Sequence, residues 1–300
     1  MTLALALALA KPSMERYEFT QAHMGMAVRV VLYSSAQEVA ESAARAAFAR
    51  FADLDTMFSD YRADSTLNRM LAAADGTPQS APAEMVDILG TARRLSALTE
   101  GAFDVTAAPL VRLWREARKT STIGSAEELA AARALVGYRR VFADQQAKTV
   151  SIEPGTRIDL GGIAKGYACD QAIQAIRSKG VTSALVEAGG DIAVSGPPPG
   201  REGWTISLEH VGQGTVNVVD CAVSTSGDTE QFVEIDGVRY SHVIDPRTGL
   251  GTTERVQATV IANRGELSDP LATAICVLGT GSAERIARQF GVRCWALSRR

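Results

Sequence analysis

The sequence predicts an α+β fold, and three observations predict it. Apolar residues recur at helical spacing in the first half of the chain, at Val39, Ala43, Ala47 and Phe51 and again at Met85, Ile88, Leu89, Ala92 and Leu95. From Trp204 to Ile261 short strand-like runs follow one another and read as an antiparallel meander. Between these halves lies RIDLGGIAKGYACDQAIQAI, Arg157 to Ile176, where an extended segment runs through two glycines into a helix. With 300 residues, 46% of them hydrophobic and 22% charged, the chain can bury a full core as one large domain or as two lobes sharing a site.

Taken in order, the chain starts with an apolar run, TLALALALA at 2–10, ending as a signal-peptide core and cleavage site would, although the usual basic n-region is missing. Nine residues are too few to span a bilayer, so no transmembrane segment is expected. Residues 1–13 are read either as a short export signal, with an extracytoplasmic (periplasmic-side) protein behind it, or as a mis-assigned start with Met14 the true one and a cytoplasmic location. Ala27–Tyr33 reads as a strand, and Ser35 with Glu38 as a capping box opening the first helix. The polar stretch FSDYRADSTLNRM carries one aromatic, Tyr61, that reads as exposed. The second helix ends near Gly101. Ser125 and Glu128 repeat the capping-box signature for a helix closed by Gly137. Thr149–Ile152 and Arg157–Leu160 read as extended, and Ala164, Ala168, Ala172 and Ile176 as one buried helix face. Ala184–Glu187 and Ile192–Ser195 read as strands around Ala188-Gly189-Gly190-Asp191. Pro197–Gly200 reads as a rigid surface loop, and Ser226–Asp228 as a break in the meander.

Composition excludes several function classes. A net charge of -3 without a basic run argues against nucleic acid as a partner, because phosphate backbones demand clustered Lys and Arg. The four cysteines form no CxxC pair, and three histidines are too few for a histidine-built metal cluster. Neither G-x-S-x-G nor HExxH occurs, which removes serine-hydrolase and zincin chemistry and leaves magnesium-assisted attack on phosphorus.

Four places carry chemistry-bearing residues. The Gly161-Gly162 turn at a helix start is a seat for phosphate, flanked by Asp159 and Lys165, or else a plain packing junction. Phe103 and Asp104 are turn residues or a stacking and hydrogen-bonding pair for an aromatic ligand. His242, in YSHVIDPRTG, is a strand residue or a proton-transfer or phosphate-contacting group. Asp269 before Pro270 reads as an N-cap with proline at the first helical position, which leaves Thr273 unexplained. Four residues on, the Thr273 hydroxyl shares a helix face with the Asp269 carboxylate. Two hard oxygen donors side by side suit Mg²⁺ shared with a nucleotide.

The ordered series Met24-Gly25, YRADS, GAFDVT, IDLGGIAKGYACD, EAGGDI, STSGD, SHVIDPRTG and SDPLATA resembles the motif series of the ApbE family, the FAD:protein FMN transferases. The similarity runs from about residue 20 to near the C-terminus. It implies a T-fold-like architecture of mixed and largely antiparallel sheets with flanking helices, as βαβ-containing lobes around one FAD site, with 14–300 a single domain. It implies Mg²⁺-dependent transfer of FMN from FAD to a Ser or Thr hydroxyl of an acceptor flavoprotein through a phosphoester bond, with AMP released. Met24, Tyr61, Ala102, Phe103, Asp104, Asp159, Lys165 and Ile244 would line the FAD pocket. Asp269 and Thr273 would hold Mg²⁺ with a carbonyl of the 162–164 turn, taken as that of Gly162. His242 is the candidate to receive the acceptor's proton or steady the transferred phosphate.

The chain departs from the family pattern at Met26, where Thr is frequent, and at Asn68-Arg69-Met70-Leu71, where many relatives read Ser-Arg-Leu-Asn. Lys165 is not universal in the family, and Pro270 replaces a common alanine. The change at Leu71 bears on how the enzyme divides between transfer and FAD hydrolysis. The alternatives to transfer are therefore an FAD pyrophosphatase giving FMN and AMP, and a flavin-binding carrier without turnover. No segment resembles an SGA[ST]-type flavinylation target, so the chain is not read as the acceptor.

Overall fold

The computed structural model describes residues 13–227 and 231–299, so the apolar run at 2–10 and Asp228 of the expected SGD break lie outside the described residues. The elements are β1 (Glu15–His23), β2 (Met26–Ser34), α1 (Gln37–Phe58), α2 (Thr66–Ala72), β3 (Gln79–Ser80), α3 (Ala83–Leu98), α4 (Ala108–Thr120), α5 (Ala126–Ala134), β4 (Val141–Asp144) and β5 (Thr149–Ile152). They continue with α6 (Ala164–Ser178), β6 (Ala184–Ala188), β7 (Asp191–Ser195), β8 (Trp204–Ser207), β9 (Thr215–Val218), β10 (Cys221–Gly227), β11 (Phe232–Ile235), β12 (Val238–Ser241), β13 (Arg255–Ala262), α7 (Gly265–Leu278), α8 (Ala283–Phe290) and β14 (Arg293–Arg299). Among the described residues no helix is long and apolar enough to cross a membrane.

Seven strands form the main sheet in the order β1-β2-β6-β7-β10-β13-β14, each antiparallel to its neighbours. Alternation along the strands gives it two buried faces. Val28, Val30, Leu32, Val186 and Ala193 point into a large core shared with α1, α6 and α7. Val31, Leu185, Val194 and Val223 point the other way, against Trp204 and Val218 of the β8–β9 hairpin. A separate cluster joins Leu110, Trp114 and Ala117 of α4 to Val233 and Ile235 of the β11–β12 hairpin. The meander is therefore real but carries two hairpin insertions. The βαβ units are not formed as parallel pairs: β5 belongs to the β3-β5-β4 sheet, so the chain leaving it through α6 enters a different sheet at β6.

Several local expectations hold and others fail for identifiable reasons. The five apolar positions of α3 are buried, as are Ala164, Ala168, Ala172 and Ile176 of α6. The Ser125–Glu128 capping box forms in both directions, although α5 ends at Ala134, short of Gly137. The Ser35–Glu38 box does not form. Ala36 is the N-cap, and the Ser34 hydroxyl accepts from Ala36 N at 3.2 Å, turning the chain one residue earlier. Ala43, Ala47 and Phe51 of α1 are buried, but Val39 in the first turn is 40% exposed. Arg157–Leu160 joins no ladder. Asp159 N instead donates to Val105 O at 2.8 Å, which ties this segment to the GAFDVT turn.

Asp269 is not an N-cap. Helix α7 starts four residues earlier, with Arg264 at the N-cap position, and Asp269 and Pro270 lie inside it. The N-terminal donors of α7 are satisfied from α6: the Asp170 carboxylate accepts from Gly265 N at 2.8 Å and Glu266 N at 3.2 Å. The two helices come close enough for this because Gly166 faces Gly265. A methyl group on either would overlap the other's carbonyl oxygen.

Gly166→Ala is expected to destabilise the protein by about 1–3 kcal/mol through overpacking against backbone that cannot rotate away, read as a lowered urea midpoint at unchanged slope. A second expectation concerns Asp170, whose pKa burial raises to about 6 against the opposing effect of the two backbone donors. The folded chain thus holds this proton more tightly than the unfolded one. The residue's contribution to stability is greatest below its unfolded value and is lost as pH rises through about 6. Unfolding free energies of wild type minus Asp170→Asn, measured across pH 4 to 8, should fall through that window and then level off.

Candidate functional site

A cavity of about 510 Å³ opens between the large core and the α4–hairpin cluster. Its wall includes Ala102, Phe103, Asp104, Asp159, Gly162, Lys165, His242, Ile244, Asp269 and Thr273, so ten of the residues singled out in the sequence converge on one space. Met24 and Tyr61 are not in this wall. Met24 sits in the β1–β2 turn at a φ of 50°, and the sulfur of nearby Met26 would be 2.8 Å from a Cβ on Gly189, a residue of the cavity wall. Tyr61 is 77% exposed, in the segment between α1 and α2.

The glycine turn is built by its neighbours. Gly161 N donates to Asp159 Oδ1 at 2.7 Å, so that amide is engaged by the protein's own carboxylate and not offered to a phosphate. Gly162 leaves room that a side chain would fill: a Cβ there would stand 3.3 Å from Phe103 Cε2 and 3.6 Å from Thr273 Oγ1. The turn thus lies against both the aromatic ring and the α7 hydroxyl. Gly189 and Gly190, with φ of 57° and 93°, form the two-residue β6–β7 turn, which requires positive φ at both positions. It delivers Asp191 to the cavity side of the sheet.

Asp191 is the residue the sequence reading did not assign. It is 2% exposed, and its Oδ2 lies 2.9 Å from Lys165 Nζ. Lys165 also donates to Asp269 Oδ2 at 3.2 Å and to Gly161 O at 3.1 Å. One ammonium therefore stands between two buried carboxylates, and Asp191 Oδ1 is buried without a hydrogen-bond partner. Burial pulls the Lys165 pKa down, but the Asp191 and Asp269 charges overcome it and hold the amine protonated. Burial, reinforced by the Asp191 charge, raises the Asp269 pKa, and Lys165 opposes that. The signal for Asp191 was its place after a glycine pair.

Asp104 works chiefly within the protein. Its carboxylate accepts from Thr106 N, Thr106 Oγ1 and Tyr138 N at 2.8, 2.7 and 2.8 Å, and burial raises its pKa against those bonds. Phe103 is buried, lines the cavity and has Cε2 against the Gly162 turn. His242 Nδ1 lies 3.1 Å from Gln231 O. A carbonyl only accepts, so Nδ1 is the donor in this contact. The turn after His242 is held by Asp245, and Trp114 Nε1 donates to Gly249 O at 2.9 Å, fixing that turn to α4.

A sequence model of the ApbE family matches residues 24–296. The chain belongs to the ApbE family. The FAD:protein FMN transferase of Vibrio cholerae serotype O1 is 35% identical over 252 residues, covering 80% of this chain and 75% of that one. Among solved structures, the apo flavinyl transferase ApbE of Pseudomonas stutzeri is 32% identical with a TM-score of 0.84, covering 96% of this chain and 92% of its own. The flavin transferase ApbE of Vibrio cholerae is 31% identical with a TM-score of 0.82, covering 94% and 93%. The α+β architecture described above is thus that of ApbE proteins.

Removing the ammonium from between Asp191 and Asp269 should leave a like-charge pair uncompensated. Lys165→Met is expected to cost about 3–5 kcal/mol of stability at pH 8 in chelator-containing buffer, and less at pH 5, where the raised Asp269 pKa favours protonation. Urea unfolding at the two pH values checks both the size and the sign.

Proposed function

We propose that this chain transfers FMN from FAD to a Ser or Thr hydroxyl of an acceptor flavoprotein through a phosphoester bond, releasing AMP. One observation carries the reading: the Asp269–Thr273 face of α7, the Gly161-Gly162 turn and the His242 imidazole meet on one cavity. The names of relatives at 30–35% identity support the same reaction class.

The donor set fits Mg²⁺. A carboxylate, a hydroxyl and a carbonyl of the 162–164 turn, with Gly162 first choice, are few and hard, which suits an ion that keeps sites for phosphate oxygens and water. The excess of carboxylate over ammonium at Asp191, Asp269 and Lys165 favours a further cation. Among the described residues no three His, Cys, Asp or Glu side chains gather as a metal cluster, and this donor set needs none. When bound, Mg²⁺ would neutralise phosphate charge.

The chain's own groups supply the remaining steps. Phe103, Ala102 and Ile244 give apolar wall to a flavin ring. Lys165, held protonated, adds positive charge near the pyrophosphate. His242, on the cavity wall, takes the proton of the incoming hydroxyl as that oxygen bonds to the flavin-side phosphorus and the bond to the AMP oxygen breaks. The apolar run at 2–10 supports an extracytoplasmic setting, with membrane electron-transfer subunits or other extracytoplasmic flavoproteins as acceptors.

Incubation with FAD, Mg²⁺ and an acceptor carrying a Ser/Thr flavinylation motif should give acceptor-bound flavin fluorescence that survives denaturing electrophoresis. Free FMN without labelled protein would indicate hydrolysis instead, and unchanged FAD a carrier. Asp269→Ala should lower turnover by at least about 10²- to 10³-fold with the melting transition retained. Full activity of that variant in chelator-treated buffer would refute the metal assignment.

A further inference from the structure

Arg115 has no part in the chemistry above, yet its side chain joins three separate stretches of the chain beside the cavity. It projects from α4, whose Leu110, Trp114 and Ala117 are buried in the hairpin cluster. Arg115 Nη1 donates to Asp60 Oδ2 at 3.0 Å and Nη2 to Asp159 Oδ2 at 2.9 Å, while the guanidinium carbon lies 4.8 Å from the centre of the Tyr61 ring. The side-chain exposures of Arg115, Asp60 and Asp159 are 31%, 26% and 14%, so these ion pairs are partly withdrawn from solvent screening.

The segment bearing Tyr61 is otherwise fixed through its backbone. Asn68 Nδ2 donates to the carbonyls of Ser59, Asp60 and Arg62 at 3.3, 3.1 and 2.8 Å, and the Ser59 hydroxyl accepts from Tyr61 N at 3.3 Å. These bonds place the loop. They do not orient the phenol ring. The guanidinium does, and it leaves Tyr61 77% exposed. On the other side Arg115 grips Asp159, which also holds Gly161 N. Loop and cavity wall are therefore one mechanical unit.

We propose that Arg115 is a positioning residue for the dinucleotide: the Asp60–Arg115–Asp159 clasp holds the Tyr61 ring at the cavity margin with its open face toward the planar ring of the substrate. This rests on the FAD reading of the site. Because both carboxylates already engage the guanidinium, Arg115 acts on ligand affinity through Tyr61 and does not serve as a phosphate ligand for the chemical step.

The test is FAD affinity of the full chain by flavin fluorescence in Mg²⁺ buffer, alongside steady-state transfer. Arg115→Gln should weaken FAD Kd and raise KM by about tenfold, with kcat within about twofold of wild type. Arg115→Lys should recover part of the loss, since it keeps the charge but not the planar fork. In a Tyr61→Ala background the Arg115→Gln change should add less than about twofold. An unchanged Kd in Arg115→Gln, a full-sized effect persisting without Tyr61, or a fall in kcat at constant Kd would each overturn the proposal. Should Arg115→Gln fail to fold, Asp60→Asn opens the clasp from its other end and must weaken FAD binding in the same direction. Wild type that binds no FAD overturns the functional reading before any variant is made, whereas wild type that binds FAD without transferring FMN overturns only transfer and leaves the clasp to be decided by affinity.

Discussion

Helices α6 and α7 meet backbone against backbone where Gly166 faces Gly265, and the site is a consequence of that contact. Lys165 precedes one of these glycines and Asp269 lies one turn beyond the other, so the approach that only glycine permits sets the 3.2 Å between the ammonium and the carboxylate. Gly166 N itself donates to Asp269 Oδ2 at 3.3 Å, and Asp170 reaches across to cap α7. Groups a hundred residues apart in the chain are thereby held by two rigid helices, and Thr273, one turn further along α7, comes to lie beside Gly162. A wider interhelical gap would leave the same side chains present but out of register.

The electrostatics follow from the packing. Burying Asp191 and Asp269 together is unfavourable unless positive charge is brought to them, and Lys165 supplies one unit for two. The remaining negative charge is what the proposed Mg²⁺ would compensate. A second group of the same kind, part-buried, lies beside the same glycine turn, where Arg115 stands between Asp60 and Asp159. The cavity therefore has two charge centres. In each, one positive charge serves two carboxylates; the first is buried beside the Asp269–Thr273 face, and the second, more exposed, holds a loop.

How much of this the sequence carries depends on whether the cause is local. The α6 face, the β6–β7 glycine turn and the capping box of α5 are set by neighbours in sequence, and all were legible. Asp269-Pro270 reads as a cap because aspartate followed by proline so often opens a helix, but here the cap comes from Asp170 on another helix, which no local pattern reveals. Helices α2 and α4 are not legible in the sequence: α2 is short, and α4 begins in what reads as a loop. Arg115 reaches the site only through α4. The Gly161 amide offers the same lesson on a smaller scale, since a glycine turn suggests open donors and the adjacent Asp159 had already taken one.

The central claim is that α7 and the glycine turn of α6 together form one cation-bearing dinucleotide site. Diffraction from crystals grown with FAD and Mn²⁺, recorded at the manganese absorption edge, tests it most directly. One anomalous peak is expected within coordination distance of the Asp269 carboxylate and the Thr273 hydroxyl, with flavin density in the same cavity. A peak at another place on the molecule, or FAD bound with no metal at Asp269, would contradict it.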